Sequence, residues 1–314
     1  MKRMLLALPL VMCACGEIEL PEVQQEEETP VTEEYSKKFT FTIKGDFANP
    51  QFCDVEDGDI SVPVSYDRIT EGYGDSQRMS RANQYMTADG VEMTDMWVVD
   101  YKDGSIQQSI HQSNTDADWG APTMSLTLGT HHVLFLASRG TEPAYNDGVV
   151  TWAKPHDTFY CDYEVTVAKT SNGNRAVTLD RVATKLMLTI NDIVPVGTTT
   201  ITMQPSKWYN GWNMLTGTPI AATDYTQTLS IPASWGGLTN RSAVSWSLSS
   251  ADEWLTDLHY TSYAGTAVNG EILIKDAPLK ANRTTKYAGN FYSNAEASSV
   301  TLNAEWLADY EGVY

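Results

Sequence analysis

The sequence predicts an all-β protein. Residues 37–47 place Phe39, Phe41 and Ile43 at every second position, with polar residues between them, as expected for a strand with one buried face. Similar runs recur about every ten residues and are separated by turn signals such as Lys102-Asp103-Gly104. No helical pattern is long enough to cross between parallel strands, and only residues 77–90 suit a short helix or a long loop.

Residues 1–14 resemble a lipoprotein export signal. Lys2 and Arg3 precede an uncharged apolar run, residues 4–14, which is far shorter than the roughly 20 residues of a membrane-spanning helix. The run ends with the small residue Ala14 directly before Cys15, which resembles a lipobox. We therefore expect Cys15 to be the lipidated first residue of the mature chain. The alternative is an ordinary secretory signal with two incidental cysteines.

Residues 15–36 are expected to form a disordered acidic tether. Residues 16–34 contain eight glutamates and no lysine or arginine, so they bury too little apolar surface to offset the entropy of ordering. Acyl chains on Cys15 would attach the protein to a membrane. An acidic stretch soon after the lipidated cysteine also resembles the surface-export signals of some Gram-negative lipoproteins, which implies the outer face of the outer membrane.

Composition restricts the partners of the chain. The formal net charge is -19 over 314 residues, and a field of that sign repels phosphate, so nucleic-acid binding is excluded as a function class. Beyond the signal and the candidate lipidation residue Cys15, the only cysteines are Cys53 and Cys161. They are interpreted as two small buried apolar residues, with a disulfide between them left open.

Two sandwich domains are predicted after the tether, over residues 37–170 and 171–314. The boundary is placed at the polar run 170–174. Predicted strands of the first domain are 37–47, 60–66, 93–101, 105–111, 124–128, 132–137, 149–152 and 159–167. Predicted strands of the second are 177–193, 198–203, 226–231, 243–249, 259–263, 271–274, 284–292 and 299–306. This number of short strands with frequent turns is typical of β-sandwiches.

Four segments resemble the fimbrillins of type V pili, and in particular their minor, anchor-type subunits. They are 95–101 (DMWVVDY), 128–139 (LGTHHVLFLASR), 178–186 (TLDRVATKL) and 283–292 (RTTKYAGNFY). The resemblance implies two transthyretin-like β-sandwiches in a cell-surface fimbrial component that binds other fimbrial subunits by β-strand addition. It also implies that stalk subunits lose their first strand to a protease that cuts at a basic residue, whereas anchor subunits keep their lipidated end.

Lys37 and Lys38 are the candidate processing site, because they precede the apolar part of the first predicted strand. The alternative is a pair of solvated lysines that guard an exposed edge. Cleavage there would separate the lipid from the fold, which suits a stalk subunit and contradicts an anchor. The expected assembly surfaces are the strand at 39–47 at one edge and the strand at 299–306 at the other.

No catalytic, metal or cofactor site is predicted. The acidic clusters at Asp252-Glu253 and at residues 54–59 are interpreted as solvated loops, since no flanking motif distinguishes them. His131 and His132 are adjacent on a predicted strand, so they point to opposite faces and cannot share a metal.

A second function class depends on aromatic residues. Trp208, Tyr209 and Trp212 lie in a segment with Gly and Asn, and Trp235 lies beside two glycines. They are candidates for a flat stacking surface that binds a glycan or a host protein, with burial in the core as the alternative. On that hypothesis the chain is a surface lipoprotein adhesin that acts alone.

Overall fold

The computed structural model describes residues 35–44, 93–293 and 310–313, the last of these as backbone alone. The described strands, in chain order, are β1 (Ser36–Lys44), β2 (Asp95–Lys102), β3 (Ser105–Ser113), β4 (Thr123–Thr127), β5 (Gly129–Ser138), β6 (Thr141–Asn146), β7 (Val149–Lys154), β8 (Thr158–Val167), β9 (Asn174–Thr178), β10 (Asp180–Arg181), β11 (Ala183–Ile190), β12 (Thr200–Pro205), β13 (Tyr209–Asn213), β14 (Thr218–Ala221), β15 (Gln227–Ser230), β16 (Arg241–Leu248), β17 (Trp254–Ala264), β18 (Ala267–Leu279), β19 (Thr284–Gly289) and β20 (Tyr310–Val313). A single 3-10 turn (Ala233–Trp235) is described besides them. Within these ranges no helix is long and apolar enough to cross a bilayer.

The first sandwich packs a three-stranded sheet, in the order β4-β1-β9, against a five-stranded sheet, in the order β10-β8-β5-β2-β3. The core between them is built from alternate residues of both sheets. Phe39 and Phe41 come from β1, Val133 and Phe135 from β5, and Val165 from β8. This inward and outward alternation is the periodicity that predicted the strands.

The second sandwich packs two four-stranded sheets, in the orders β16-β11-β19-β20 and β15-β12-β17-β18. Its core includes Leu186 and Leu188 from β11, Ile201 from β12 and Tyr260 from β17. Both β19 and β20 join their sheet by parallel pairing, β19 to β11 and β20 to β19.

A fifth sheet joins the two sandwiches. The hairpin β6-β7 lies between strands of the first sandwich in the chain, β13-β14 lies between strands of the second, and β7 pairs with β13 to give the order β14-β13-β7-β6. A third core lies against this joining sheet and contains four tryptophans: Trp97, Trp152, Trp212 and Trp246. The five-stranded sheet of the first sandwich is therefore covered on both faces, because Leu134 and Leu136 of β5 point to this third core.

The predicted all-β class and sandwich packing are confirmed. The predicted turn at Asp103-Gly104 has the left-handed backbone that two-residue hairpins require, and Asp147-Gly148 between β6 and β7 has it as well. The predicted strands at 60–66 and 299–306 and the segment 77–90 lie outside the described residues. Strands β6, β13, β14 and β20 were not predicted, because short, exposed or Gly-containing sequences leave no alternating pattern. The single strand predicted at 177–193 is divided among β9, β10 and β11.

The division into domains at residue 170 stays a prediction, although two strands beyond it still belong to the first sandwich. Strand β9 pairs in parallel with β1, and β10 pairs with β8. The first strand of the second sandwich is β11, which begins at Ala183. The joining sheet also places parts of both predicted domains in one hydrogen-bonded layer.

Candidate assembly site

Strand β1 lies between two partners. Its first half pairs antiparallel with β4, from Ser36↔Thr127 to Thr40↔Thr123, and its second half pairs in parallel with β9. The amides of Phe41 and Ile43 continue the β4 side by donating to Pro122 O at 3.0 Å and Gly120 O at 3.2 Å. The expectation that this strand forms a sheet edge is therefore wrong. Side-chain alternation reports a buried face, whereas it carries no information about how many backbone edges are paired.

The apolar side chains of β1 complete the core of the first sandwich. Phe39, Phe41 and Ile43 are fully buried. The Phe41 ring meets Phe135 edge-on at 5.2 Å between centroids, and Tyr163 lies 6.3 Å away. Burial of each such side chain contributes about 1.5–3 kcal/mol. Without β1, a groove would open between β4 and β9. It would expose the core residues of the five-stranded sheet that pack against β1.

The β9 side of the groove requires a glycine at position 173. The amide of Thr40 donates to Gly173 O at 2.7 Å, where the chain turns into β9. A Cβ atom at position 173 would lie 2.4 Å from the Lys38 carbonyl oxygen, which no side chain tolerates. The predicted linker at 170–174 thus contains a residue whose small size allows β9 to approach β1.

The candidate processing residues Lys37 and Lys38 lie within β1. They pair with Leu126 and Ser125 of β4, with Lys37 half-buried and Lys38 exposed. A protease binds its substrate as an extended, accessible segment, so pairing with β4 protects the Lys37–Lys38 region. Cys15, the candidate lipidation residue, lies outside the described residues.

At the other end of the chain, β20 (Tyr310–Val313) is the last strand of its sheet. Its residues pair in parallel with Thr285–Ala288 of β19, with no further strand beside β20 among the described residues. An end strand of this kind presents unpaired N–H and C=O groups to a partner chain. The strand predicted at 299–306, which was expected to present that edge, is not described.

The predicted aromatic surface is wrong for Trp208 and Trp212, because both are buried and they belong to different cores. Trp208 stacks on Tyr225 at 5.8 Å in the second sandwich, while Trp212 packs in the third core beside Tyr160. Burial raises the pKa of Tyr225 to about 12, so its hydroxyl stays protonated.

Tyr209 and Trp235 are half-buried against the core of the second sandwich. Tyr209 meets Trp254 edge-on at 4.9 Å, and the Lys207 ammonium lies 5.1 Å from the Tyr209 ring centroid. The four residues therefore do not form one flat surface. Their burial depends on strands far away in the sequence, so the local Gly and Asn signals did not indicate it.

The histidines lie on opposite faces of β5, as predicted. His131 is buried and bonded to Asp100, whereas His132 is half-exposed and bonded to Asp162 at 2.9 Å. No group of three or more metal-ligating side chains occurs among the described residues. Asp252 and Glu253 are exposed between β16 and β17.

Comparisons with known proteins concern the fold. No protein-family model and no curated protein matches the chain. Among solved structures, it is similar to the fimbrial anchor protein Mfa2 from Porphyromonas gingivalis (8% identity, 76% of this chain, 82% of that chain, TM-score 0.40). It is also similar to a fimbrial assembly protein from Parabacteroides distasonis (10% identity, 82% of this chain, 92% of that chain, TM-score 0.41). These neighbours are fimbrial proteins, the class that the sequence motifs resemble.

Proposed function

We propose that this chain is a lipid-anchored subunit of a cell-surface fimbrium that binds other subunits by β-strand addition and has no catalytic activity. The observation that carries the proposal is the position of β1, an N-terminal strand that fills a groove between β4 and β9 with three fully buried apolar side chains. A groove of this kind offers backbone partners on both sides and pockets at alternate positions, which is what an added strand needs.

The pairing of Lys37 and Lys38 supports an anchor over a stalk subunit. An intact β1 closes the groove, so the subunit cannot accept a strand there from a neighbour. A subunit with a closed groove ends the fibre, and a lipid on Cys15 would then hold that end at the outer membrane. The neighbour would meet another open edge, for which β20 is our candidate.

Mass analysis of the N-terminus tests this proposal on protein extracted from the cell surface. We expect an acylated Cys15 followed by an uncut chain through Lys38. A mature chain that starts at Lys38 or Phe39 would contradict the anchor role and indicate a stalk subunit. An unacylated chain that starts at Cys15 would contradict lipid attachment.

A second experiment tests assembly itself. Fimbriae are extracted from cells that carry the native chain or Cys15→Ala, and they are separated on gels without boiling. We expect the native chain in heat-sensitive complexes with other subunits at the membrane, and the Cys15→Ala chain with its fibres in the medium. A native chain that is found only as a monomer would contradict the fimbrial function.

A further inference from the structure

A cleft of about 220 Å³ opens where the edge strand of the five-stranded sheet, β3, faces the edge strand of the joining sheet, β6. Its walls are Ser109, Ile110 and His111 of β3 and Pro143 and Tyr145 of β6, with Trp97 of β2 beneath them. Aromatic and apolar atoms dominate these walls, with a few polar groups at the rim. Mostly apolar walls with a few polar groups are typical of ligand sites, and a volume below the roughly 300–1,000 Å³ of sites for drug-sized molecules suits a ligand of a single ring.

The imidazole of His111 is held in a fixed orientation. It lies directly across the strand pair from Trp97 and stacks on that indole, with 4.9 Å between centroids and 21° between planes. Its Nε2 atom lies 2.8 Å from Asp95 Oδ1. Trp97 is itself fixed, since it is 4% exposed and meets Trp152 edge-on at 6.0 Å. The wall of the cleft that β2 and β3 provide is therefore formed before any ligand arrives, which lowers the entropic cost of binding.

The β6 side of the cleft disfavours an added peptide strand. All six residues of β6 are exposed, but Pro143 has no amide hydrogen to donate and Glu142 has a left-handed backbone (φ 50°). The pairing of β6 with β7 omits Glu142, so the edge is irregular. Proline and irregular backbone are features that block edge-to-edge pairing. A compact ligand that does not depend on backbone hydrogen bonds fits this cleft better.

We propose that the cleft binds one neutral pyranose ring of a glycan. The C–H face of a sugar ring is apolar and packs on flat side chains such as Tyr145 and Pro143, while its hydroxyls can bond the exposed Ser109 and Tyr145 hydroxyls and the His111 imidazole. Acidic sugars are disfavoured, because the chain has a net charge of -19 and the Asp95 carboxylate is bonded to His111 of the cleft wall. This inference is independent of assembly into a fimbrium.

Saturation-transfer NMR on the purified protein tests the proposal with methyl pyranosides of glucose, galactose, mannose and N-acetylglucosamine as probes. We expect at least one to bind, with a Kd on the order of 1 mM. Tyr145→Ala and, separately, Ser109→Ala are expected to weaken that binding at least about tenfold. Tyr35→Ala is the matched control, because Tyr35 is 38% exposed and Tyr145 is 36% exposed. The control is expected to bind like the native protein.

Three outcomes would overturn the proposal. The first is that no pyranoside receives saturation from the native protein. The second is that Tyr145→Ala binds as well as Tyr35→Ala, which would place the sugar elsewhere. The third is that N-acetyltyrosinamide displaces the sugar at a lower concentration than a second sugar does, which would assign the cleft to an aromatic peptide side chain. Since each assay uses the isolated protein, none depends on lipid attachment or fibre formation.

Discussion

His131 Nδ1 lies 2.7 Å from Asp100 Oδ1, and both side chains are almost completely buried between the sheets of the first sandwich. The other ring nitrogen, Nε2, donates to Thr127 O at 3.0 Å. Asp100 belongs to β2 and Thr127 to β4, so one imidazole connects the two facing sheets. Lys102 of β2 adds two further hydrogen bonds to this end of β4, by donating to Thr127 Oγ1 at 2.8 Å and to Leu128 O at 2.7 Å.

We expect His131→Leu to lower the free energy of unfolding by about 3–5 kcal/mol, because it leaves the Asp100 carboxylate buried without its partner. Urea unfolding followed by tryptophan fluorescence measures the change. His132→Leu is the control, since its pair with Asp162 is roughly half-exposed and exposed pairs contribute less than about 1 kcal/mol. Equal losses for the two variants would contradict a special role for the buried pair.

Phe41→Ala should destabilise the protein by about 3–5 kcal/mol, because it leaves a cavity beside Phe135 in the centre of the first core. The neighbouring Thr42→Ala is expected to change stability by no more than about 0.5 kcal/mol, since Thr42 is exposed on the same strand. Denaturant midpoints measure both effects. If the two variants unfold alike, β1 does not contribute to the core as described.

Arg181→Lys should cost about 2–3 kcal/mol although it preserves the charge. The guanidinium donates to both oxygens of Asp157, at 2.7 Å and 3.1 Å, and to Asn282 Oδ1 at 3.2 Å, and it lies 4.6 Å from the centre of the Phe159 ring. An ammonium cannot reproduce that forked geometry. Arg175→Lys is the control, because Arg175 lies 5.3 Å from the centre of the Phe39 ring but donates to the nearby carbonyls of Asn172 and Asn174, not to a carboxylate. Thermal unfolding compares them, and similar midpoints would contradict the assigned role.

Cys161 should react slowly with iodoacetamide in the folded protein. Burial raises the pKa of its thiol to about 11, with Asp180 and Asp162 adding to the shift, so little reactive thiolate forms at pH 8. The rate should rise as the pH approaches 11. Alkylation measured by mass spectrometry is expected to be about a hundredfold slower than in urea.

Equal alkylation rates in the folded and the urea-denatured protein would contradict the conclusion that burial raises the pKa of the Cys161 thiol. A thiol that becomes detectable only after reduction would show that Cys161 is oxidised, and Cys53 is its candidate partner. Cys161 is the one cysteine within the described residues, and it forms no disulfide there.

The alternating pattern predicted most described strands, because one buried face leaves a side-chain signal at every second residue. Strand β5 follows a different rule, since residues 133–137 are all buried. Such a continuous apolar run indicates a strand covered on both faces. That signal could have revealed a third layer, but not its composition, because β6 is wholly exposed and β13 contains Gly211.

The candidate site was less predictable for a physical reason. The pattern of β1 correctly gave its buried face, yet backbone pairing with β4 and β9 involves N–H and C=O groups that every residue except proline carries. The cleft was missed as well, because it brings together Trp97, His111 and Tyr145 from three strands. Only His111 and Trp97 are cross-strand neighbours, and their register depends on a bulge at Asp100 and Tyr101.

The joining sheet would have a mechanical consequence in the lipid-anchored subunit that we propose. Strand β7 meets β13 through the pairs Val149↔Asn213, Val150↔Trp212 and Thr151↔Gly211, so backbone hydrogen bonds cross directly from one sandwich to the other. A pulling load is therefore shared by several bonds that must break together. The two sandwiches are therefore expected to resist stretching together, unlike domains that are joined by a flexible linker.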